Sequence, residues 1–345
     1  MTTTTITPVS NLTDVLTTIE NNLSPNTRDA YQQELTTLTE QFAANGWELY
    51  PLNKDGSLNP SLYLTQILSY LQQRADAGLT VSTINKTLCA VKWDASRTSP
   101  HAVGLLSMKQ VSAFMTGLTR TRRGDTVRKA SALNTDQLTT LYKHLRRNRT
   151  VRNVRDKALI ALGIATALRA SNIADLKLKD LTPTLTYDGF LVKVRWSKTD
   201  QSGAGFIVPV KASENRLVDP ITATREWLTI LSALGYTQET HPDFPLFPVL
   251  RQNTVKEQEI AHPAITLTKL VRDRLTEAGI ATKETVKQYS SHSLRSTFIT
   301  LSSQAGVSEK HIATVSGHKS MTVLRSYDRT SLEQFAQTDY LTPQQ

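Results

Sequence analysis

Several cationic side chains stand where the chain is expected to turn, which is where an anion could be bound. Arg169 directly follows a strongly apolar segment, and Lys198 lies between two segments with strand character. His292 and Arg295 are three residues apart in SHSLRSTF, so on a helix they share one face. The sequence places Ser291 as the cap of that helix. A helix N-terminus that carries His and Arg is a favourable place for an anion.

A histidine and a tyrosine lie nine residues apart near the end of the sequence. His318 follows Gly317, which is expected to end a helix, and Ser320 can cap the next one. On that next helix Tyr327 falls beside an apolar stripe. The tyrosine is therefore compatible both with a functional role and with a core position whose hydroxyl is hydrogen-bonded.

Other familiar catalytic patterns are missing from the sequence. It contains no GxxxxGK[ST], HExxH or GxSxG, and its seven histidines lack the spacing of metal ligands. With one cysteine, Cys89, neither a disulfide framework nor a multi-cysteine zinc site is available. We therefore expect no metal and no cofactor.

The elements that must position these residues fall into two regions. Residues 21–120 show helical periodicity throughout, with apolar stripes such as Tyr31, Leu35, Leu38 and Phe42. Residues 134–330 mix buried helices with two strands, FLVKVRW and FIVPV, which are expected to form a hairpin. The predicted fold is mainly α with a small β-hairpin or sheet, namely an N-terminal helical bundle followed by an α+β domain.

The remaining segments complete the predicted domain organisation. Residues 1–20 are expected to be a flexible tail without a signal peptide, and residues 121–133 a basic linker. Residues 331–345 carry a short apolar face that so small a helix cannot bury alone, so it must pack against another surface, for example that of its own domain. The longest apolar run, at 158–165, is too short to cross a membrane, so an intracellular protein is expected.

The positive charge of the chain is concentrated in one region. The net charge is +10, and residues 120–157 hold 12 Lys or Arg against three Asp. Such a localised basic block indicates contact with a phosphate backbone, although a solvated helix face would look the same. The residues predicted to contact DNA are Lys86, Lys92, Arg120, Arg122, Arg123, Arg128 and Lys129.

Together these features resemble the tyrosine recombinase, or phage integrase, family. Arg169, a hairpin lysine, the His292-Ser-Leu-Arg295 motif, Gly317-His318 and Tyr327 occur in the order and spacing of that family. The length and the two-domain layout are most similar to Cre-type members. One position departs from the pattern, because Asn172 stands where the family usually has an acidic residue, and Asp175 one turn later could substitute for it.

The resemblance implies a function and a role for each residue. Tyr327 would attack a DNA phosphodiester and form a 3′-phosphotyrosine, while Arg169 and Arg295 stabilise the phosphate. Lys198 would protonate the leaving 5′-oxygen, His292 would assist proton removal from the tyrosine, and His318 would hydrogen-bond the phosphate.

The resemblance also implies partners. These are double-stranded DNA with inverted-repeat target sites and a homotetramer on two duplexes, monomeric or weakly associated without DNA. Since a C-terminal tail docks into the neighbouring protomer in this family, the resemblance implies the same for residues 331–345. The location would be cytoplasmic and associated with the nucleoid. Two alternatives remain open at this point: a type IB topoisomerase-like enzyme that relaxes DNA, and a non-catalytic DNA-binding protein on the same fold.

Overall fold

The chain divides into two compact units, Met1–Val127 and Arg128–Gln345. A computed structural model describes residues 23–122, 129–186, 188–195, 205–251, 254–255, 261 and 263–325. Part of what the sequence predicts lies outside these residues: the N-terminal tail 1–20, the tail 331–345, Arg123, Arg128, Lys198 and Tyr327.

The described part of the N-terminal unit is helical, as predicted. Its helices are α1 (Pro25–Ala44), α2 (Pro60–Asp76), α3 (Val81–Thr98), α4 (Pro100–Leu106) and α5 (Lys109–Thr121). Ser24 caps α1 with Pro25 in its first turn, and Asn45 and Gly46 end it, as the sequence indicates. The short helix α4 was not predicted, because Ser99-Pro100 interrupts the apolar periodicity just before it.

One apolar core holds the N-terminal unit together. Leu38, Ile67, Ile84 and Val91 are fully buried in it, and Phe42 and Leu88 nearly so. The predicted stripes of α1 and α3 thus face this core. Burying such side chains contributes about 1.5–3 kcal/mol each, which offsets the entropy of ordering the helices.

The C-terminal unit combines helices with a small antiparallel sheet. Its helices are α6 (Thr135–Arg147), α7 (Val151–Thr166), α8 (Ala170–Ala174), α9 (Pro220–Ala233), α10 (Leu267–Glu277), α11 (His292–Gln304), α12 (Glu309–Ser316) and α13 (Met321–Arg325). The strands are β1 (Leu181–Pro183), β2 (Gly189–Val194), β3 (Phe206–Lys211), β4 (Leu250–Arg251) and β5 (Thr254–Val255). The mainly helical fold with a small sheet is confirmed.

Helix α7 runs through the middle of the C-terminal unit. Every residue from Asn153 to Gly163 is buried, and α6, α9, α11 and β3 pack around the helix. Gly163 permits a close approach of α11: a Cβ there would lie 2.8 Å from Leu294 Cδ1, on that helix. The missing side chain therefore sets the separation of α7 and α11.

The sheet pairs β1, β2 and β3 in sequence order. The predicted hairpin strands are antiparallel, with Val192 opposite Val208 and Val194 opposite Phe206. Gly205 closes the described base of the hairpin with φ +69°, and a Cβ there would approach Val194 O to 2.7 Å. A glycine is needed at that position on both counts. The sequence did not reveal β1, which is three residues long.

Candidate active site

Among the predicted site residues that the structure describes, Arg295 is the most buried. It lies in the first turn of α11, and its side chain is 2% exposed. Its Nη1 donates a hydrogen bond of 2.7 Å to the carbonyl oxygen of Ala167, at the end of α7. A guanidinium is costly to bury, and this bond fixes its direction while offsetting part of the cost.

The same turn sets the position of Arg169. Ala167 ends α7 in the left-handed region, with φ 51° and ψ 25°, and two residues later Arg169 occupies the N-cap position of α8. A left-handed alanine costs roughly 1–2 kcal/mol, and such strain persists only where the surroundings enforce it. The bond from Arg295 to the carbonyl of Ala167 is one of the contacts that hold this turn. The turn at Ala167 therefore helps to position both predicted arginines, Arg169 and Arg295.

His318 lies against Arg295. Arg295 Nη2 is 2.9 Å from His318 Nε2 and 3.1 Å from Nδ1. Nδ1 is also 2.7 Å from the hydroxyl of Ser316, which donates to the carbonyl of Ile312 at 2.6 Å. This network assigns the proton to Nδ1 and leaves Nε2 as the acceptor toward the arginine. Ser316 was not singled out in the sequence.

Burial and positive charge together keep His318 neutral. Desolvation is the largest cause, and the charges of Arg295 and Arg169 add to it, lowering the pKa of His318 to about 4. Positive neighbours disfavour a second positive charge, as expected. Gly317, with φ 67°, ends α12 just before it as predicted, and Ser320 caps α13 as predicted.

His292 stands at the exposed start of α11. Desolvation first, then Arg295 and Arg169, lower its pKa. The prediction that Ser291 caps this helix is wrong: it makes no capping bond, and its hydroxyl contacts that of Thr268 at 3.1 Å. Ser290 serves instead and accepts from the amide of His292 at 3.2 Å. The cap therefore lies one residue earlier than the sequence pattern indicated.

The elements that lead to Lys198 and Tyr327 are described even though these two residues are not. Arg195, at the end of β2, donates from Nη2 to the carbonyl of Asp175 at 2.7 Å and pairs with Asp180 at 2.9 Å. Asp180 is 2% exposed. The strand that precedes Lys198 is thereby tied to the end of α8, the helix that starts after Arg169.

Helix α13 is tied in a similar way. Arg325, at its last residue, makes two bonds to Glu309 on α12, of 2.8 and 3.0 Å. The two helices, together with Ile299 of α11, enclose a small apolar cluster that includes Leu324. Tyr327 comes two residues after this anchored helix.

Asn172, the residue that departs from the family pattern, is closely packed within the C-terminal unit. Asn172 is 4% exposed and, with Asp175 and Arg195, lines a cavity of about 10 Å³. Asp175 ends α8, and its carbonyl oxygen accepts from Arg195. The suggestion that its carboxylate replaces the usual acid stays a prediction.

A buried cluster of charged side chains joins α7 to α10. It was not predicted from the sequence. Asp156 is fully buried and pairs with Arg155 at 2.6 Å and with Arg274 of α10 at 2.7 Å. Because Arg274 comes from a distant part of the chain, single-sequence periodicity carries no signal for this cluster. Removing one partner of such a buried group typically costs about 3–5 kcal/mol.

The residues predicted to contact DNA differ in whether their charged groups are bound to other groups of the protein or exposed to solvent. Lys86 pairs with the buried Glu34 at 2.7 Å, and Arg122 donates to the carbonyls of Leu79, at 2.7 Å, and Ala75. Both therefore support the N-terminal unit. Arg120 and Lys129 are exposed and Lys92 is half-buried. Contact of these residues with DNA stays a prediction.

Neither a metal-binding cluster nor a membrane-spanning helix occurs among the described residues. Among the described residues, no group of three or more His, Cys, Asp or Glu side chains is placed to hold a metal ion. Within the same part of the chain, every helix is too short or too polar to cross a membrane.

Comparison with known proteins gives a consistent family. The model of the phage integrase family matches residues 131–333, more than half of the chain. A curated relative, an integrase/recombinase XerD homolog from Selenomonas ruminantium, is 27% identical over 175 residues. That match covers 50% of this chain and 47% of the relative, so the chain spans about half the length of the relative it matches.

Solved structures share the fold at low identity. The XerH site-specific recombinase bound to palindromic difH substrate aligns with a TM-score of 0.57 and 18% identity, over 89% of this chain and 78% of that one. The Tn1549 transposon integrase with circular intermediate DNA gives 0.57 and 15%, over 91% and 93%. A lambda integrase dimer on a core site gives 0.56 and 17%, over 91% and 75%. With a family model that matches residues 131–333 and a fold shared with these recombinases, the chain belongs to the phage integrase family of tyrosine recombinases.

Proposed function

We propose that this protein is a site-specific DNA recombinase that cleaves and rejoins DNA through a 3′-phosphotyrosine. The observation that carries the proposal is the convergence of Arg295, His318 and Arg169 from three separate segments at the end of α7. A buried arginine and a second arginine close enough to lower the pKa of a neutral histidine form a site of positive potential. Such a site favours an anion with oxygens to share, and a phosphodiester fits it.

The two arginines would take the role that a metal ion has in other phosphoryl-transfer enzymes. Charge grows on the non-bridging oxygens of the phosphate in the transition state, and guanidiniums can donate to them bidentately. Arg295 is held by the carbonyl of Ala167 through Nη1, which leaves Nη2, now facing His318, to turn toward the phosphate. Because Arg295 is anchored to the backbone before the substrate arrives, the reorganisation is confined to its Nη2 side and to His318.

His318 needs a change of hydrogen bonding before it can donate to a phosphate. In the free protein its Nε2 faces the donor Nη2 of Arg295, and its proton is on Nδ1. When a phosphate draws the guanidinium away and adds negative charge, the pKa of His318 rises, and a proton on Nε2 becomes available. Substrate binding would thus switch this histidine from acceptor to donor.

The remaining roles fall to His292 and to two residues outside the described part, Lys198 and Tyr327. Tyr327 would attack the phosphorus and form the 3′-phosphotyrosine, while the 5′-oxygen leaves with a proton from Lys198. His292, whose lowered pKa keeps it neutral, would accept the proton of the tyrosine. Rejoining is the reverse of these steps with a 5′-hydroxyl from another strand. The phosphotyrosine conserves the bond energy, so neither a nucleotide nor a cofactor is required.

The proposal includes the assembly. Each protomer supplies one cleavage, so exchange of strands between two duplexes requires four protomers, which we expect to assemble on inverted-repeat sites. Without DNA the protein would be monomeric or weakly associated, and it would act in the cytoplasm on the nucleoid.

A plasmid assay tests the proposal against its two rivals. Supercoiled plasmids carry no candidate site, one, or two, taken from the DNA that flanks the gene, and reactions contain EDTA. We expect recombinant products with the two-site plasmid alone. Relaxation of the plasmid without sites would indicate a topoisomerase, and binding to the sites without any cleavage would indicate a non-catalytic protein.

A further inference from the structure

The basic block of the sequence includes a surface that the proposed active site does not use. Five exposed cations lie on the last turns of α6, on the connection that follows it, and on the first turn of α7. We name this surface the distal basic face; it consists of Lys143, Arg146, Arg147, Arg149 and Arg152. Four of its five members are arginines, the side chain best suited to phosphate oxygens.

The charge of this face is not neutralised by the residues around it. Within the described part of the chain, Lys143, Arg146 and Arg147 form no ion pair. Arg149 reaches Glu226 at 3.8 Å, but that carboxylate already contacts Lys157 more closely. The face therefore keeps most of its positive charge.

Arg152 is in the same situation as Arg149. It reaches Asp156 at 3.9 Å, whereas Arg155 and Arg274 hold that carboxylate at 2.6 and 2.7 Å. The nearby acids are thus committed to buried cations. The exposed guanidiniums repel one another, so grouping them lowers the stability of the free protein. A bound anion would relieve this repulsion.

The surface around these cations contains two depressions in which phosphate groups could bind. Arg146 and Arg149 line a cavity of about 110 Å³ with Lys157 and Glu226, which pair with each other. Arg152 lines a more open depression that also contains Glu277, whose carboxylate pairs with Arg274. Both are next to the N-terminus of α7, whose dipole adds the same sign of potential.

The position of the face separates it from the proposed active site. Helix α7 has 16 residues, which corresponds to about 24 Å. The basic face is at its N-terminal end, and Ala167 and Arg169 follow its C-terminal end. From Asn153 to Gly163 the helix is buried, so its two ends are joined through the core and not by an exposed helix surface. The distal basic face and the turn before Arg169 are thus separate surfaces at opposite ends of a buried helix.

We propose that the distal basic face binds the phosphate backbone of a second segment of double-stranded DNA, apart from the segment at the active site. The inference rests on the proposed function only in that the chain binds duplex DNA. Contacts to phosphates are independent of sequence and depend on salt. A chain with two such surfaces would hold two duplex segments, which brings the DNA that is to be exchanged near each protomer.

The test counts how many duplexes one chain binds. The probe is a fluorescent duplex of about 15 base pairs, which at about 51 Å is long enough to cover both surfaces if they lay on one DNA path, so two bound duplexes per chain require two separate surfaces. Sedimentation at low salt gives the number bound per chain, and a titration gives the affinity of each class. The test variant is Lys143→Gln/Arg146→Gln/Arg147→Gln, whose side chains make no ion pair with described residues. The control is Lys211→Gln/Arg216→Gln/Lys310→Gln, with the same loss of charge spread over three exposed positions.

We expect the wild type and the control to bind two duplexes per chain and the test variant to bind one. The affinity of the remaining class should change less than twofold. The weaker class in the wild type should show a salt slope no steeper than about −4.5, from five cations at about −0.9 each.

Three results would overturn the inference. The wild type could bind one duplex, the variant could keep two, or the variant could lose its tighter class, which would place the face in the main DNA site. Binding of a fluorescent polyglutamate peptide that depends on the face, without a second duplex, would show a surface for an acidic protein instead. The proposed function is tested separately by the plasmid assay, so failure of one proposal is distinguishable from failure of the other.

Discussion

Replacing Gly163 with alanine tests how closely α7 and α11 must approach. The new Cβ would be 2.8 Å from Leu294 Cδ1 and 3.1 Å from Ile173 Cδ1, and both neighbours are almost completely buried. Such overpacking costs typically about 1–3 kcal/mol. Alanine in place of glycine within a helix recovers about 1 kcal/mol. We therefore expect a net loss in the free energy of unfolding of about 0–2 kcal/mol.

A matched control is available in the other unit. Gly117 lies within α5, is exposed, and has nothing within 4 Å of an added Cβ. Gly117→Ala should stabilise its helix by about 1 kcal/mol, so the two variants should differ by about 1–3 kcal/mol. Native-state hydrogen exchange of amides in α7 and in α5 reports each unit separately. If Gly163→Ala stabilises α7 as much as Gly117→Ala stabilises α5, the close packing does not constrain the site.

Three further predictions concern the site itself. Ala167→Gly should stabilise the protein by up to about 1 kcal/mol, because it removes left-handed strain worth about 1–2 kcal/mol while adding freedom to the unfolded chain; urea unfolding checks this, and a marked loss would contradict the strain. His318 should titrate near its pKa of about 4 by NMR in the free protein and at higher pH with bound DNA. Binding should therefore tighten as pH falls through the raised value, and an unchanged pKa would exclude the switch to donor. Arg195→Ala should slow cleavage about 10- to 100-fold by misplacing Lys198, and a substrate with a 5′-bridging sulfur, which needs no general acid, should restore the rate. Without rescue, Arg195 would support the fold alone.

The sequence was sufficient for the elements whose signal is local. The stripes of α1 and α3, the cap at Ser24 and the end of a helix at Gly317 depend on residue type and spacing, and the structure has them as predicted. The hairpin was found from alternation alone, with its strand bounds displaced by one or two residues.

The features that the sequence did not reveal are those made by distant partners or by backbone geometry. Asp156 with Arg274, and Arg195 with Asp180, join separate elements. The left-handed turn at Ala167 has no composition signal, since alanine rarely adopts it. The capping prediction at Ser291 was off by one residue. Ser290 and Ser291 are both suitable caps, and a tertiary contact with Thr268 engages Ser291.

Covalent attachment of DNA to Tyr327 is the step on which the proposed function depends most directly. Wild-type protein and Tyr327→Phe are incubated with labelled duplexes that tile the DNA flanking the gene, in EDTA, and then denatured in SDS. We expect the wild type to form an SDS-resistant complex whose modified peptide contains Tyr327. The variant should bind the same duplex with unchanged affinity and form no such complex. A complex that persists in Tyr327→Phe, with the DNA attached to another residue such as Tyr340, would contradict the account.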